Sequence, residues 1–352
     1  MLISCLIAAA PLLGGPVAGD AFALRASHVH VGDGQVVLDA FVLIEDGVVK
    51  SVSNNAPGFI GLGESLGASS ENEERNRKST PEADLSFAFD PTNPSWKALV
   101  AEGVTTVLIP ADPSRIAGGQ AAIVSPAAGK VLKRDAAVSL SLSRAALGTS
   151  TAPTSYAGLY AHVEEQFAAA AAGSPLAEAK AGKLPVMMRA VTRSEVSRAV
   201  SFAAAHGLSG ALVGAPEADD LVDAIKGAGL GVVFECDVTP ATSRDVVKSS
   251  LALSKAGVPF AFTSDAARQG PVGMRMQAAA CMRAGLGADA ALRAMTADAA
   301  RLAGVGATHG TIAAGKAADL VVWSGAPTDL TSRVHSVYAG GQLVHHDHGA
   351  HK

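Results

Sequence analysis

The sequence predicts an α/β fold, with a parallel sheet and packed helices through the middle of the chain and a small β-domain assembled from its two ends. Three observations carry this. Between residues 95 and 284, short continuous apolar runs alternate with stretches of 3.6-residue hydrophobic period, the pattern of repeated strand–helix units. Segments 22–53 and 319–346 instead carry short strand-like runs separated by glycine turns. The composition, 49% hydrophobic but only 4% aromatic, suits small-residue helices on a buried sheet.

Taken in order, residues 1–13 are apolar and small residues follow, which marks 1–20 as a candidate secretory signal peptide. With a signal the protein is exported to the periplasm or beyond; without one it is cytoplasmic. Strand patterns at 23–31, 36–44 and 48–52 are separated by Gly32-Asp33-Gly34 and Glu45-Asp46-Gly47. Their counterparts at the other end are 319–323, 334–339 and 342–345, with Gly340-Gly341 as a hairpin turn. Segments 21–55 and 307–347 therefore form one composite β-domain, and a His-containing tail occupies 348–352.

The intervening unit, 56–306, reads as helix 95–102 with strand 104–109, and then four strand–helix units. These are 184–188 with 193–206, 211–214 with 218–228, 231–235 with 243–256, and 260–263 with 272–284. At this length the sheet either closes into a barrel or stays doubly wound. Segment 69–84 is polar and charged and reads as an exposed loop, and 145–155 reads as a second one. Residues 168–184 read as a helix end and a connection.

The formal charge of −4, without a basic stripe, argues against nucleic acid as a partner. After the first segment no run approaches the ~18 apolar residues that span a bilayer. Cys5, Cys236 and Cys281 make neither a disulfide framework nor a metal-type spacing, and the last two read as buried thiols. A small molecule is the expected partner. An oligomer is compatible with the sequence, which marks no interface for one.

The run Pro57-Gly58-Phe59-Ile60-Gly61-Leu62-Gly63-Glu64-Ser65 resembles the first barrel strand of the metal-dependent amidohydrolase superfamily. Further matching segments are Phe89-Asp90-Pro91, Gly103-Val104-Thr105-Thr106-Val107, Gly118-Gly119-Gln120 and Thr263-Ser264-Asp265. The strongest is Met295-Thr296-Ala297-Asp298-Ala299-Ala300-Arg301-Leu302-Ala303-Gly304, followed by Gly310-Thr311-Ile312 and Gly315-Lys316-Ala317-Ala318-Asp319-Leu320. Together they are similar to imidazolonepropionase-like amidohydrolases over roughly residues 21–346. The resemblance implies a distorted (β/α)8 TIM barrel at 56–306 and a composite β-sandwich. It also implies hydrolysis of carbon–nitrogen bonds other than peptide bonds, in cyclic amides.

In that family, histidines at the ends of strands one, five and six and an aspartate at strand eight hold zinc or another divalent metal. Here the resemblance maps them onto Gly63 and Ser65, Arg189, Gly214 and Asp265. Only Asp265 keeps the residue type, as a candidate general base or a relic. A catalytic zinc takes about three protein ligands, so no metal cofactor is expected. Arg189 is expected to replace the metal's charge and to pair with Asp265 through its planar fork. Three readings follow: a hydrolase with a rearranged site, a non-catalytic pseudoenzyme barrel, and a small-molecule receptor.

Weaker candidates surround these. Gln120 follows two glycines in a run that reads as a loop near the pocket mouth and lacks a phosphate-loop spacing. Cys236 has no neighbouring histidine to activate it. Glu64 points away from its neighbours in a strand. His28 and His30 share a strand face, His162 and His206 fall in helices, and His309 lies in the crossover between the two units.

Overall fold

A computed structural model describes residues 22–51, 56–63, 76–235, 240–263 and 273–347. The candidate signal segment and the histidine tail lie outside these, as do Ser65, Cys236 and Asp265. No helix among the described residues is long and apolar enough to cross a membrane.

Eight strands in chain order form the central sheet: β5 (Phe59–Leu62), β6 (Val104–Ile109), β7 (Ala117–Ser125), β8 (Lys130–Ser141), β9 (Val186–Ala190), β10 (Gly210–Gly214), β11 (Gly231–Phe234) and β12 (Phe260–Phe262). The first and last approach each other, since a β-carbon on Gly63 would lie 3.3 Å from Thr263 Cγ2. This is a nearly closed barrel with helices outside.

One strand departs from the expected uniform direction. β7 runs antiparallel to both β6 and β8, while every other pairing is parallel. Gly118, Gly119 and Gln120 therefore lie within a strand and not in a loop. Gly119 fits there because a β-carbon would meet the Ala83 carbonyl at 2.6 Å. Segment 76–84 is tied to β7 by Thr80 N to Ala117 O (2.8 Å) and Gln120 N to Ala83 O (2.7 Å), so its end is a docked strap and not a free loop.

The helices follow the sequence more directly. α1 (Ser95–Ala101), α2 (Tyr156–Ala169), α3 (Pro175–Lys180), α4 (Arg193–His206), α5 (Val222–Gly227), α6 (Pro240–Ala256) and α7 (Gly273–Arg283) cover the outside. α4 has a capping box in which Thr192 and Glu195 satisfy each other's backbone amides. It ends at Gly207, whose φ of 62° is the left-handed conformation glycine adopts without strain. α8 (Ala288–Met295) and α9 (Ala297–Leu302) follow among the described residues.

Alternation along the strands divides the core. Ile60, Leu62, Leu108, Ile123, Met187 and Val233 belong to an inner cluster with Leu302 and Val305 from the end of α9 and beyond. The intervening strand residues join the outer cluster with the helices. Gly231 opens β11 against Leu302, so α9 plugs the N-terminal end of the barrel.

Both chain ends contribute the small sheets. β1 (Phe22–His30), β2 (Val36–Glu45) and β3 (Val48–Ser51) form one; β4 (Ala56–Pro57), β13 (Leu320–Trp323), β14 (Val334–Ala339) and β15 (Gln342–His346) form the other. They share one core, with Val29, Val42, Ile44 and Val49 against Ile312, Ala318 and Leu320.

Arg275 of α7 fastens the second sheet to the barrel. Its side chain is 6% exposed and donates to the carbonyls of Pro327 (3.2 Å), Asp329 (2.7 Å) and Ser332 (2.9 Å) and to Glu102 Oε2 (3.2 Å). Its guanidinium also lies 4.6 Å from the centre of the Trp323 ring.

Candidate functional site

In closed α/β barrels the C-terminal ends of the strands form the site, because the loops there converge on one mouth. At these ends the inner face changes from apolar to polar. Ser139, Arg189 and Glu235 are each half-buried, directly above the fully buried inner cluster. Arg189 stands at the end of β9, in register with Ser141 on one side and Val213 on the other. Glu235 follows the last residue of β11.

Arg189 reaches across Val213 to grip Glu235 with both ends of its fork. Nη1 donates to Oε1, and Nη2 donates to Oε2 at 3.0 Å. The side chains are 22% and 25% exposed, so the pair roofs the apolar interior while facing the mouth. Arg189 Nε is buried without a partner. Beside the pair, Ser141 Oγ and Ser143 Oγ lie 3.1 Å apart, and Ser139 Oγ accepts from Ala111 N at 3.4 Å.

The rim is held by a buried carboxylate. Glu195, 1% exposed, accepts from Arg144 N (2.7 Å), Tyr156 Oη (2.6 Å), Val191 N (2.8 Å) and Thr192 N (3.0 Å). It thereby joins the end of β9 to the loop after β8 and the start of α2.

The site residues expected from sequence separate clearly. Arg189 lies at the mouth, and its carboxylate partner among the described residues is Glu235; Asp265 and Ser65 lie outside these residues. Gly63 is half-buried at the end of β5 with a φ of 80°. Gly214 stands beside the backbone of Ala190 and the side chain of Val191, and the residues of β10 that belong with the inner side are Ala211 and Val213. Gln120 lies at the joint between β7 and the strap. Sequence reasoning missed Glu235, Ser139 and Ser141. The signal for Glu235 was present: it continues the two-residue alternation of Val233 on β11, as Arg189 continues that of Met187 on β9.

Among the described residues, glycine, guanidinium and isopropyl groups stand at three strand ends, and the carboxylate of Glu235 is held by Arg189, a donor set that does not by itself make a divalent-cation site. Among the described residues no three His, Cys, Asp or Glu side chains converge on a metal position. Placing histidine at Gly63 would strain a left-handed backbone beside Thr263. Gly63→His is expected to cost about 1–2 kcal/mol and to recruit no stoichiometric zinc, as read by thermal melting and elemental analysis.

The comparisons agree with this architecture. The model of the amidohydrolase family matches residues 142–344. An amidohydrolase from Thermotoga maritima MSB8 superposes with a TM-score of 0.77 at 21% identity, covering 92% of this chain and 99% of that one. A Xaa-Pro dipeptidase crystallised with methionine in its active site gives 0.59 at 14% identity, covering 92% and 99%. The ochratoxinase of A. niger gives 0.57 at 16% identity, covering 93% and 96%. At these identities the structures speak for the fold alone. No curated protein matches the sequence significantly.

Proposed function

Since the chain belongs to the amidohydrolase family, we propose that it keeps the family's barrel as a small-molecule-binding scaffold. In this reading a fixed guanidinium–carboxylate pair occupies the mouth where the family's metal chemistry would sit. The bidentate contact between Arg189 and Glu235 carries the reading. A permanent guanidinium charge repels a divalent cation, and the Glu235 carboxylate is already neutralised by it. What the pair offers instead is a rigid polar floor, with the Ser139 and Ser141 hydroxyls beside it and apolar walls below. Such a mouth suits a compact, polar, uncharged ligand.

A second reading has support of its own. Family membership, and neighbours described as an amidohydrolase, a dipeptidase and an ochratoxinase, favour a hydrolase of carbon–nitrogen bonds, which this reading takes to be bonds other than peptide bonds. Cyclic amides would then be the substrates and Asp265 the base.

One experiment separates the two. Protein purified without chelator is assayed for metal, melted with and without chelator, and titrated with a panel of cyclic amides. The binding barrel predicts far less than one metal per chain, a melting temperature indifferent to chelator, and binding of an intact ligand that is lost in Arg189→Met. One zinc per chain that disappears in Asp265→Ala, together with turnover of a cyclic amide, would establish the hydrolase and remove the first reading.

A further inference from the structure

Away from the mouth, the crossing from the barrel to the terminal sheets encloses a cavity lined by Pro57, Ile60, Thr105, Thr106, His309 and Asp319. His309 Nε2 and Asp319 Oδ2 face each other at 3.9 Å, and their side chains are only 12% and 11% exposed. That separation is too long for a direct hydrogen bond.

The proton positions follow from the neighbours. Thr308 has one hydroxyl hydrogen, and the Val305 carbonyl 3.2 Å away can only accept it. With that hydrogen on the carbonyl, which also accepts from Thr308 N (3.0 Å) and His309 N (2.9 Å), Thr308 Oγ1 accepts from His309 Nδ1 at 2.8 Å. This assigns the ring proton to Nδ1 and leaves a lone pair on Nε2. Asp319 Oδ1 accepts from Gly340 N at 2.8 Å, and Oδ2 accepts from the Thr106 hydroxyl at 3.3 Å. Burial pushes the Asp319 carboxyl up, against the hydrogen bond from Gly340 and the His309 ring, and with Asp319 ionised two acceptors confront each other. A third group lines the same cavity: Thr105, 1% exposed, has a hydroxyl with no hydrogen-bond partner. No acceptor meets strict hydrogen-bond geometry for it, yet it stands close enough to Asp319 to act as a donor that lowers that carboxyl.

Two lone pairs and one orphan hydroxyl call for a guest that donates twice and accepts once. The space admits about one such molecule. A metal ion would also satisfy two lone pairs, but His309 and Asp319 are fewer than the three protein ligands or so that zinc takes. The ammonium of Lys316, bonded to the carbonyls of Gly306 (2.7 Å) and His309 (3.4 Å), adds a positive charge nearby.

We propose that this cavity binds one ordered water molecule, which donates to His309 Nε2 and Asp319 Oδ2 and accepts from the Thr105 hydroxyl, joining the barrel to the terminal sheets. The bridge requires a neutral imidazole. Burial holds the His309 ring below its ordinary value of 6.5, with Asp319 opposing and the Lys316 charge adding to the effect. Those two are the titratable groups facing it. Residues 57–60 and Thr105 and Thr106 bring none. Because the folded value is lowered, the stability from the neutral ring is complete above about pH 6.5 and is lost as pH falls below it.

The test is Thr105→Val, which keeps the shape and removes the hydroxyl. If the hydroxyl had no partner, its removal would leave the melting temperature unchanged or raise it. If it bonds the water, the melting temperature drops by about 2–4 °C, and the drop shrinks in a His309→Gln background. The melting-temperature advantage of wild type over His309→Gln should also hold above pH 6.5 and narrow below it. Independently, a high-resolution crystal structure of the unaltered chain must show a solvent peak within about 2.6–3.2 Å of the three atoms. A dry cavity, an anomalous metal peak there, or a Thr105→Val protein as stable as the parent each overturns the proposal.

Discussion

Arg275→Met lowers the free energy of unfolding by about 3–5 kcal/mol, in line with the removal of one partner from a buried ionic contact. The estimate is at the upper end because the guanidinium serves several groups at once. Its loss strands the carbonyls of Pro327, Asp329 and Ser332 and leaves Glu102 without its cation. It also takes away the plane packed on Trp323, which meets Phe59 at 5.3 Å between ring centres. Lysine cannot substitute fully, since one ammonium cannot reproduce a fork that serves partners on several edges. Denaturant titration should show a lower midpoint with an unchanged slope. A shift worth less than about 1 kcal/mol would mean that water replaces these contacts readily.

The second large effect is at Glu195. Burial pushes its carboxyl up, but hydrogen bonds from the Tyr156 hydroxyl and the Thr192, Val191 and Arg144 amides outweigh burial and hold it below the ordinary 4.5. A carboxylate with a depressed folded value stabilises above its unfolded value, and that contribution is lost as pH falls through the folded one. Glu195→Gln should therefore cost about 3 kcal/mol near neutrality, since an amide nitrogen would face donors that need an acceptor. The gap between wild type and variant should close as the solution is acidified below about pH 4. A gap that stayed constant down to pH 2 would show that the ionised form is not what stabilises the rim.

These two residues also show what the sequence discloses and what it withholds. Helix α4 was legible in its span, 193–206, from its 3.6-residue period; the capping box of Thr192 and Glu195 is a local signal that the structure brings out. Strands β9 to β12 were legible as apolar runs, because both faces of a barrel strand are covered. β7 and β8 were not. Gly118 and Gly119 resemble a loop, Lys130 to Asp135 is polar, and the pairing exists only through register shifts with a partner strand. At the mouth, Arg189 was identified from the family pattern. Its partner Glu235 lies two strands away, and only closure of the sheet around Val213 brings the charges together.

The composite β-domain has a consequence for how the chain must be made. Val42, Ile44 and Val49 emerge from the ribosome early, while Ile312, Ala318 and Leu320, which cover them, come near the end. From residue 49 to residue 312, synthesis at about 5–20 residues per second takes roughly 13–53 s. Throughout that interval the nascent chain carries an apolar sheet face that its own missing end is built to cover. Premature termination anywhere before Ile312 leaves that face bare, so truncated products should depend on chaperones far more than the full-length chain does.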